Sequence, residues 1–226
     1  MSLVIESLKT IILLNPKCGS RTLLKLFSPL CSLKDLERYE MLEGASKNLD
    51  HLTLLETQSF FAKNFIDISD YSVIISVRNP LDRVYSYYLE LKNLKMLHKD
   101  WYFRGFNYQF DKDLLYIIEN IDNISLNDFV CLEYFYTLTK RFSFENMIYT
   151  ASNVKKINII KLENLEGDLK KIGYVFDNMF RENSSEILFQ ISKKGLNIRN
   201  LFTESSKRIV KNYFKSDIIA GNYNIE

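Results

Sequence analysis

The apolar residues gather into a few dense runs separated by polar, turn-forming stretches. Thr10-Ile11-Ile12-Leu13-Leu14 is five residues long, four of them apolar, and predicts a buried strand. Pro16 and Gly19 break the run. Ser20 is then placed to cap a helix through Leu23, Leu24, Leu26 and Phe27. Tyr71-Ser72-Val73-Ile74-Ile75-Ser76-Val77 is a second, β-branched run; Asn79-Pro80 ends it, and a helix follows to about Leu94. Lys156 to Lys161 predicts a third strand. Between these runs the spacing predicts helices from Leu52 to about Phe65, over Lys112–Ile121 and over Leu126–Tyr136. A short strand is expected at Leu36–Tyr39, inside the polar stretch from Cys31 to Asp50. Leu165, Leu169, Ile172, Val175 and Phe176 extend a helix from Glu163 to Phe180, and a last helix runs from Thr203 through Ile209, Val210, Tyr213 and Phe214. Strands alternating with helices predict an α/β fold, with a mainly parallel sheet covered on both faces.

Composition changes this picture little. The 226 residues suit one domain spanning 1–226, and 46% hydrophobic residues with only 7 glycines and 3 prolines mark an ordered globular chain. A net charge of +2 argues against a nucleic-acid partner while leaving room for a local basic site. Three cysteines, Cys18, Cys31 and Cys131, without a paired spacing, suit a reducing compartment and no metal site. No segment approaches the apolar length of a membrane span, and no basic-then-apolar leader opens the chain. The expectation is a cytoplasmic protein, the alternative being the lumenal domain of a trimmed, membrane-anchored enzyme. Met1-Ser2-Leu3 is compatible with a cloning remnant. The sequons at Asn123 and Asn183 are those expected by chance in a chain rich in asparagine and serine.

The chemistry concentrates in the loop after the first strand. A strand, a tight loop with one lysine and several hydroxyls, and then a helix is the layout of a phosphate cradle. The first N–H groups of a helix lack internal partners and carry the positive end of its dipole. Lys17 adds a full charge, and Ser20 and Thr22 add hydroxyl donors. The order is not that of a Walker A loop, which places its lysine after the second glycine. Cys18 could be a thiol activated by the helix terminus and Lys17, or simply a small buried side chain. Arg78 stands at the C-terminal end of the second strand, where ligands collect in open α/β sheets. Ser86 lies two helical turns beyond it.

Taken together, the two stretches resemble the sulfotransferases that use 3′-phosphoadenosine 5′-phosphosulfate, especially the carbohydrate-modifying branch (Golgi-type and bacterial). In that family a proline-lysine loop followed by a small residue and hydroxyl residues cradles the 5′-phosphosulfate; Pro16 to Thr22 match it. A second family segment holds the 3′-phosphate, and Arg78, Asn79, Pro80, Arg83, Ser86 and Tyr88 match it position for position. Weaker echoes are Leu162-Glu163-Asn164-Leu165 with Asp168, Phe202-Thr203-Glu204, and Tyr213 to Asp217. One departure is Arg21, where the family usually has a small hydroxyl residue. The resemblance implies a P-loop-kinase-like three-layer fold and transfer of a sulfuryl group to a hydroxyl acceptor, most readily a saccharide, without a metal.

On that resemblance Lys17 is catalytic. Lys17, Cys18, Gly19, Ser20, Arg21 and Thr22 hold the phosphosulfate, and Arg78 and Ser86 hold the 3′-phosphate. Lys193-Lys194-Gly195 resembles a basic loop that closes over the nucleotide, so Lys194 and Gly195 are candidate cofactor contacts, with Arg199 as another. Arg83 either joins them or pairs with Asp82, Glu90 or another carboxylate. His51 is the candidate general base, because histidine titrates near neutrality and the family often places a base in this region; packing against the next helix is the plainer reading. Glu56, Glu43 and Glu40 are substitutes. His98, the basic stretch Lys92 to Lys99 and Trp101, Tyr102 and Arg104 either line an acceptor groove or form a solvated helix face. Two rivals stand beside this reading. One is a nucleotide-kinase-like phosphoryl transferase; the other is a non-catalytic protein binding a nucleotide or an anionic glycan on the same fold.

Overall fold

The computed structural model describes residues 2–32, 35, 51–63, 67–102, 112–149, 154–176 and 197–225. The expected strand at Leu36–Tyr39 and the candidates Glu40, Glu43, Arg104, Lys194 and Gly195 lie outside these residues.

Four strands form one sheet in chain order: β1 (Ser2–Ile5), β2 (Thr10–Leu13), β3 (Ser72–Val77) and β4 (Lys156–Lys161). β1 is antiparallel to β2, while β2, β3 and β4 run parallel. The register sets Thr10 opposite Ser72 and Leu13 opposite Ile75, and β3 runs two residues further, to Val77. Ser2 and Leu3 are buried in β1, where Ser2 Oγ lies 2.7 Å from Thr57 Oγ1.

Buried on both faces, the inner strands need no polar alternation. Ile11, Leu13, Val73 and Ile75 pack on one side against Leu54 and Phe61 of α2 (Leu54–Lys63) and Met147 of a short helix described below. Ile12, Leu14 and Ile74 pack on the other against Leu23, Leu26 and Phe27 of α1 (Ser20–Phe27) and against Leu165 and Leu169. The chain is thus an α/β protein with helices on both sides of a mostly parallel sheet.

A third apolar cluster is built by helices and the segments that join them. It joins α3 (Pro80–Tyr102), α4 (Lys112–Asn120), α5 (Leu126–Phe129), α6 (Glu133–Arg141) and the two C-terminal helices. After α6 comes α7 (Phe144–Ile148), and after β4 comes α8 (Leu165–Lys171). The C-terminal helices are α9 (Glu204–Tyr213) and α10 (Lys215–Gly221). Thr203, the expected start of the last helix, caps α9 by accepting the Ser206 N–H.

Three expected helices have different bounds. α3 continues past Leu94 to Tyr102. The run from Leu126 to Tyr136 is two helices, because Leu132 is extended (ψ 140°) and restarts the chain. The helix expected to reach Phe180 ends at Lys171, where Gly173 turns left-handed (φ 93°) and its N–H returns to the Lys170 carbonyl.

Candidate functional site

The turn from β2 to α1 carries two left-handed residues, Lys17 (φ 59°) and Gly19 (φ 84°). Gly19, not Ser20, is the N-cap, and no side chain caps the helix. The N–H groups of Ser20, Arg21 and Thr22 therefore lie in the first turn, where a helix has no internal acceptor for them. Glycine is required at 19 for a second reason: a Cβ there would come within 2.4 Å of Leu162 Cδ1 at the end of β4.

Beneath the turn, successive residues hand an oxygen to a fixed nitrogen donor. His51 Nδ1 bonds the Leu14 carbonyl. A carbonyl only accepts, so Nδ1 carries the proton and Nε2 is the acceptor nitrogen. Arg83 Nη2 donates to Asn15 Oδ1 at 2.8 Å and Arg83 Nε to the Pro16 carbonyl at 3.1 Å. Arg78 Nη1 donates to the Lys17 carbonyl at 3.2 Å. Asn15 in turn donates to the Ser76 carbonyl at 3.1 Å, tying the loop to β3.

Arg83 is wholly buried and belongs to this underside. Its Nη1 donates to Asp217 Oδ1 at 2.6 Å and its Nη2 to the Phe142 carbonyl at 2.9 Å, while Asp217 Oδ2 accepts the Phe144 N–H at 2.9 Å. Burial alone would disfavour the guanidinium charge. The negative partners around it outweigh that and hold its pKa above the ordinary arginine value. The partner is neither Asp82 nor Glu90 but the aspartate of the C-terminal echo. The desolvation cost of such a pair is offset only when its remaining hydrogen bonds are made, as they are here.

His51 sits half-buried beside this underside, its ring edge-on to Phe142 with centroids 5.9 Å apart. Burial first, and then positive charge that includes Lys17 and Arg83, pull its pKa down to about 3. The imidazole is neutral at physiological pH and is a weak base in this setting. Glu56 is occupied as well. With Thr53 it forms a capping box at the start of α2, accepting the Thr53 N–H at 2.8 Å, and it pairs with Arg141 at 3.2 Å.

The mouth of the loop is different. Lys17 is ion-paired with Glu90 of α3, both side chains partly exposed. Ser86, partly buried, lies on the same side of α3, four residues before Glu90. Arg78 is 8% exposed, and burial lowers its pKa while Asp82 and Glu163 act against that. Burial raises the Asp82 pKa, which Arg78 and then Arg199 oppose, so Arg199 contributes positive potential at this end of the sheet. Arg21 is exposed. Cys18 is buried, and desolvation pushes its thiol up to about 11, the opposite of an activated nucleophile.

Elsewhere the echoes act as fasteners. Glu163 accepts the Asn79 N–H at 2.6 Å and the Tyr223 hydroxyl at 2.7 Å; Asp168 accepts the Lys161 N–H at 2.9 Å. In the basic stretch of α3, Lys92 lies 4.8 Å over the Tyr88 ring and Lys95 pairs with Asp122 at 2.6 Å. The side chains of His98, Trp101 and Tyr102 lie outside the described residues. Among the described residues there is no cluster of histidine, cysteine and carboxylate side chains of metal-ligand type, and no helix long and apolar enough to cross a membrane.

The loop thus joins an uncapped helix terminus, a lysine in the turn before it and an arginine just after the neighbouring parallel strand. Compared with models of protein families, with curated proteins and with solved structures, the chain matches none.

Proposed function

We propose that this chain is a sulfotransferase using 3′-phosphoadenosine 5′-phosphosulfate, with a hydroxyl acceptor, most readily a saccharide, on a P-loop-kinase-like fold. One observation carries the reading. Parallel pairing of β2 and β3 brings the two motif segments together, so that Arg78 of the second donates to the Lys17 carbonyl of the first. A ligand with an anionic group at each end would find a cationic anchor at each.

The residues suit that cofactor. The Ser20, Arg21 and Thr22 N–H groups and the Ser20 and Thr22 hydroxyls are donors for the phosphosulfate end. Arg78 and Ser86 are the donors for a 3′-phosphate, with Arg199 adding positive potential. When bound, the cofactor supplies an activated sulfuryl group. Lys17 neutralises negative charge gathering at the loop as the leaving phosphate departs, a task of positioning and electrostatics rather than covalent chemistry. With its Nδ1 engaged and its pKa low, His51 serves by holding the Leu14 carbonyl and hence the loop.

The test is incubation with sulfur-radiolabelled cofactor and a panel of oligosaccharides, with Lys17→Ala as control. Label transferred to at least one acceptor, and lost in the variant, is the expected result. Transfer of a labelled γ-phosphoryl group from ATP instead would favour the kinase-like rival, and transfer of neither would favour a binding protein.

A further inference from the structure

Lys17 is not alone at the loop. Its ammonium is held by the Glu90 carboxylate, with side-chain exposures of 20% and 41%. Both partners are positioned. The Lys17 backbone is fixed left-handed and its carbonyl is held by Arg78. Glu90 rides on α3, seven residues after Arg83, which anchors that helix face beneath the turn. An anion arriving at the helix terminus and the Glu90 carboxylate need the same ammonium, and they repel each other.

We propose that Glu90 is a counter-ion that competes with the ligand for Lys17 and so sets how tightly anions bind at the loop. Every anion bound at the loop must displace it. Ligands anchored only at the loop and ligands also anchored at Arg78 both meet this competition, and the second anchor leaves the latter with the tighter net binding. The second half of this rests on the sulfotransferase reading; the competition itself rests only on the ion pair. The Arg83–Asp217 bond, by contrast, is sealed inside and cannot exchange with a ligand.

Calorimetric titrations with inorganic pyrophosphate, adenosine 3′,5′-bisphosphate and AMP test it on wild type, Glu90→Gln, Lys17→Ala and the double variant. Glu90→Gln should bind pyrophosphate and the bisphosphate roughly three- to tenfold more tightly at low salt, with the gain shrinking as salt is added. The gain should vanish in the Lys17→Ala background. Unchanged or weaker pyrophosphate binding in Glu90→Gln, a gain that survives loss of Lys17, or no pyrophosphate binding in any variant would overturn the proposal. Preference for the bisphosphate over AMP in wild type reads the cofactor assignment separately. A Glu90 effect without that preference keeps the counter-ion and removes the cofactor; the preference without the effect does the reverse.

Discussion

The underside and the mouth of the β2–α1 loop are both rich in cationic side chains, and they use them in opposite ways. Below, Arg83 is buried and its donors go to protein oxygens at 2.6 to 3.1 Å, Asp217 among them. Above, Lys17 pairs with a partly exposed carboxylate, and Arg78 donates a hydrogen bond to the loop. The two arginines stand five residues apart in one motif. A charge buried among protein oxygens fixes geometry; a partly exposed charge at the start of a helix can exchange its partner for a ligand. The difference separates scaffold from site within a single stretch of sequence.

The sharpest way to break this contrast is to remove the buried cation. Arg83→Ala leaves Asp217 buried without its charge partner and should lower stability by about 3–5 kcal/mol, read from the urea midpoint. Replacing both partners with apolar residues, Arg83→Met with Asp217→Leu, should recover much of that loss while the loop still binds anions poorly. Gly19→Ala comes next. It forces a left-handed alanine against Leu162 and should cost roughly 1–3 kcal/mol, together with a loss of anion affinity at temperatures where the variant is still folded.

His51 gives a pH-dependent version of the same test. Its folded pKa of about 3 lies below the ordinary value of 6.5, so the unfolded chain binds the proton first as pH falls. The contribution of His51 to stability is complete above that ordinary value and is lost as pH drops toward 3, by at most about 1.4 kcal/mol per pH unit. His51→Asn, which can still donate to the Leu14 carbonyl, should flatten that part of the stability profile. If it also abolishes turnover with cofactor affinity intact, His51 belongs to the chemistry and not to the scaffold. The smallest effect is expected at the exposed mouth. Arg21→Ser should change anion affinity by less than about threefold, because a solvated charge at that position is screened.

Much of this frame could be read from the residues. β2, β3 and β4 announced themselves as short apolar runs, and Gly19 and Pro16 marked the turn. β1 did not, because Ser2 to Ile5 is too short to separate from a leader by pattern alone. The break at Leu132 had no glycine or proline to signal it. Gly173 did signal the end of α8, but apolar spacing carried the expected helix across it. The site divides along the same line. Local sequence exposed the loop and Arg78, whereas the partner of Arg83 lies 134 positions away and only the fold brings it there. His51 was legible as a histidine near the loop; its engagement with Leu14 and its burial were not, since both depend on how α2 enters against the sheet.

The central claim is that the loop and Arg78 form two anchors of one nucleotide site. Calorimetric titration with adenosine 3′,5′-bisphosphate, beside AMP and beside ATP with magnesium, tests it most directly on wild type and Arg78→Ala. The account predicts metal-independent binding that favours the bisphosphate over AMP, with the preference lost in the variant. Equal affinity for AMP and the bisphosphate, or a preference for ATP with magnesium, would contradict it.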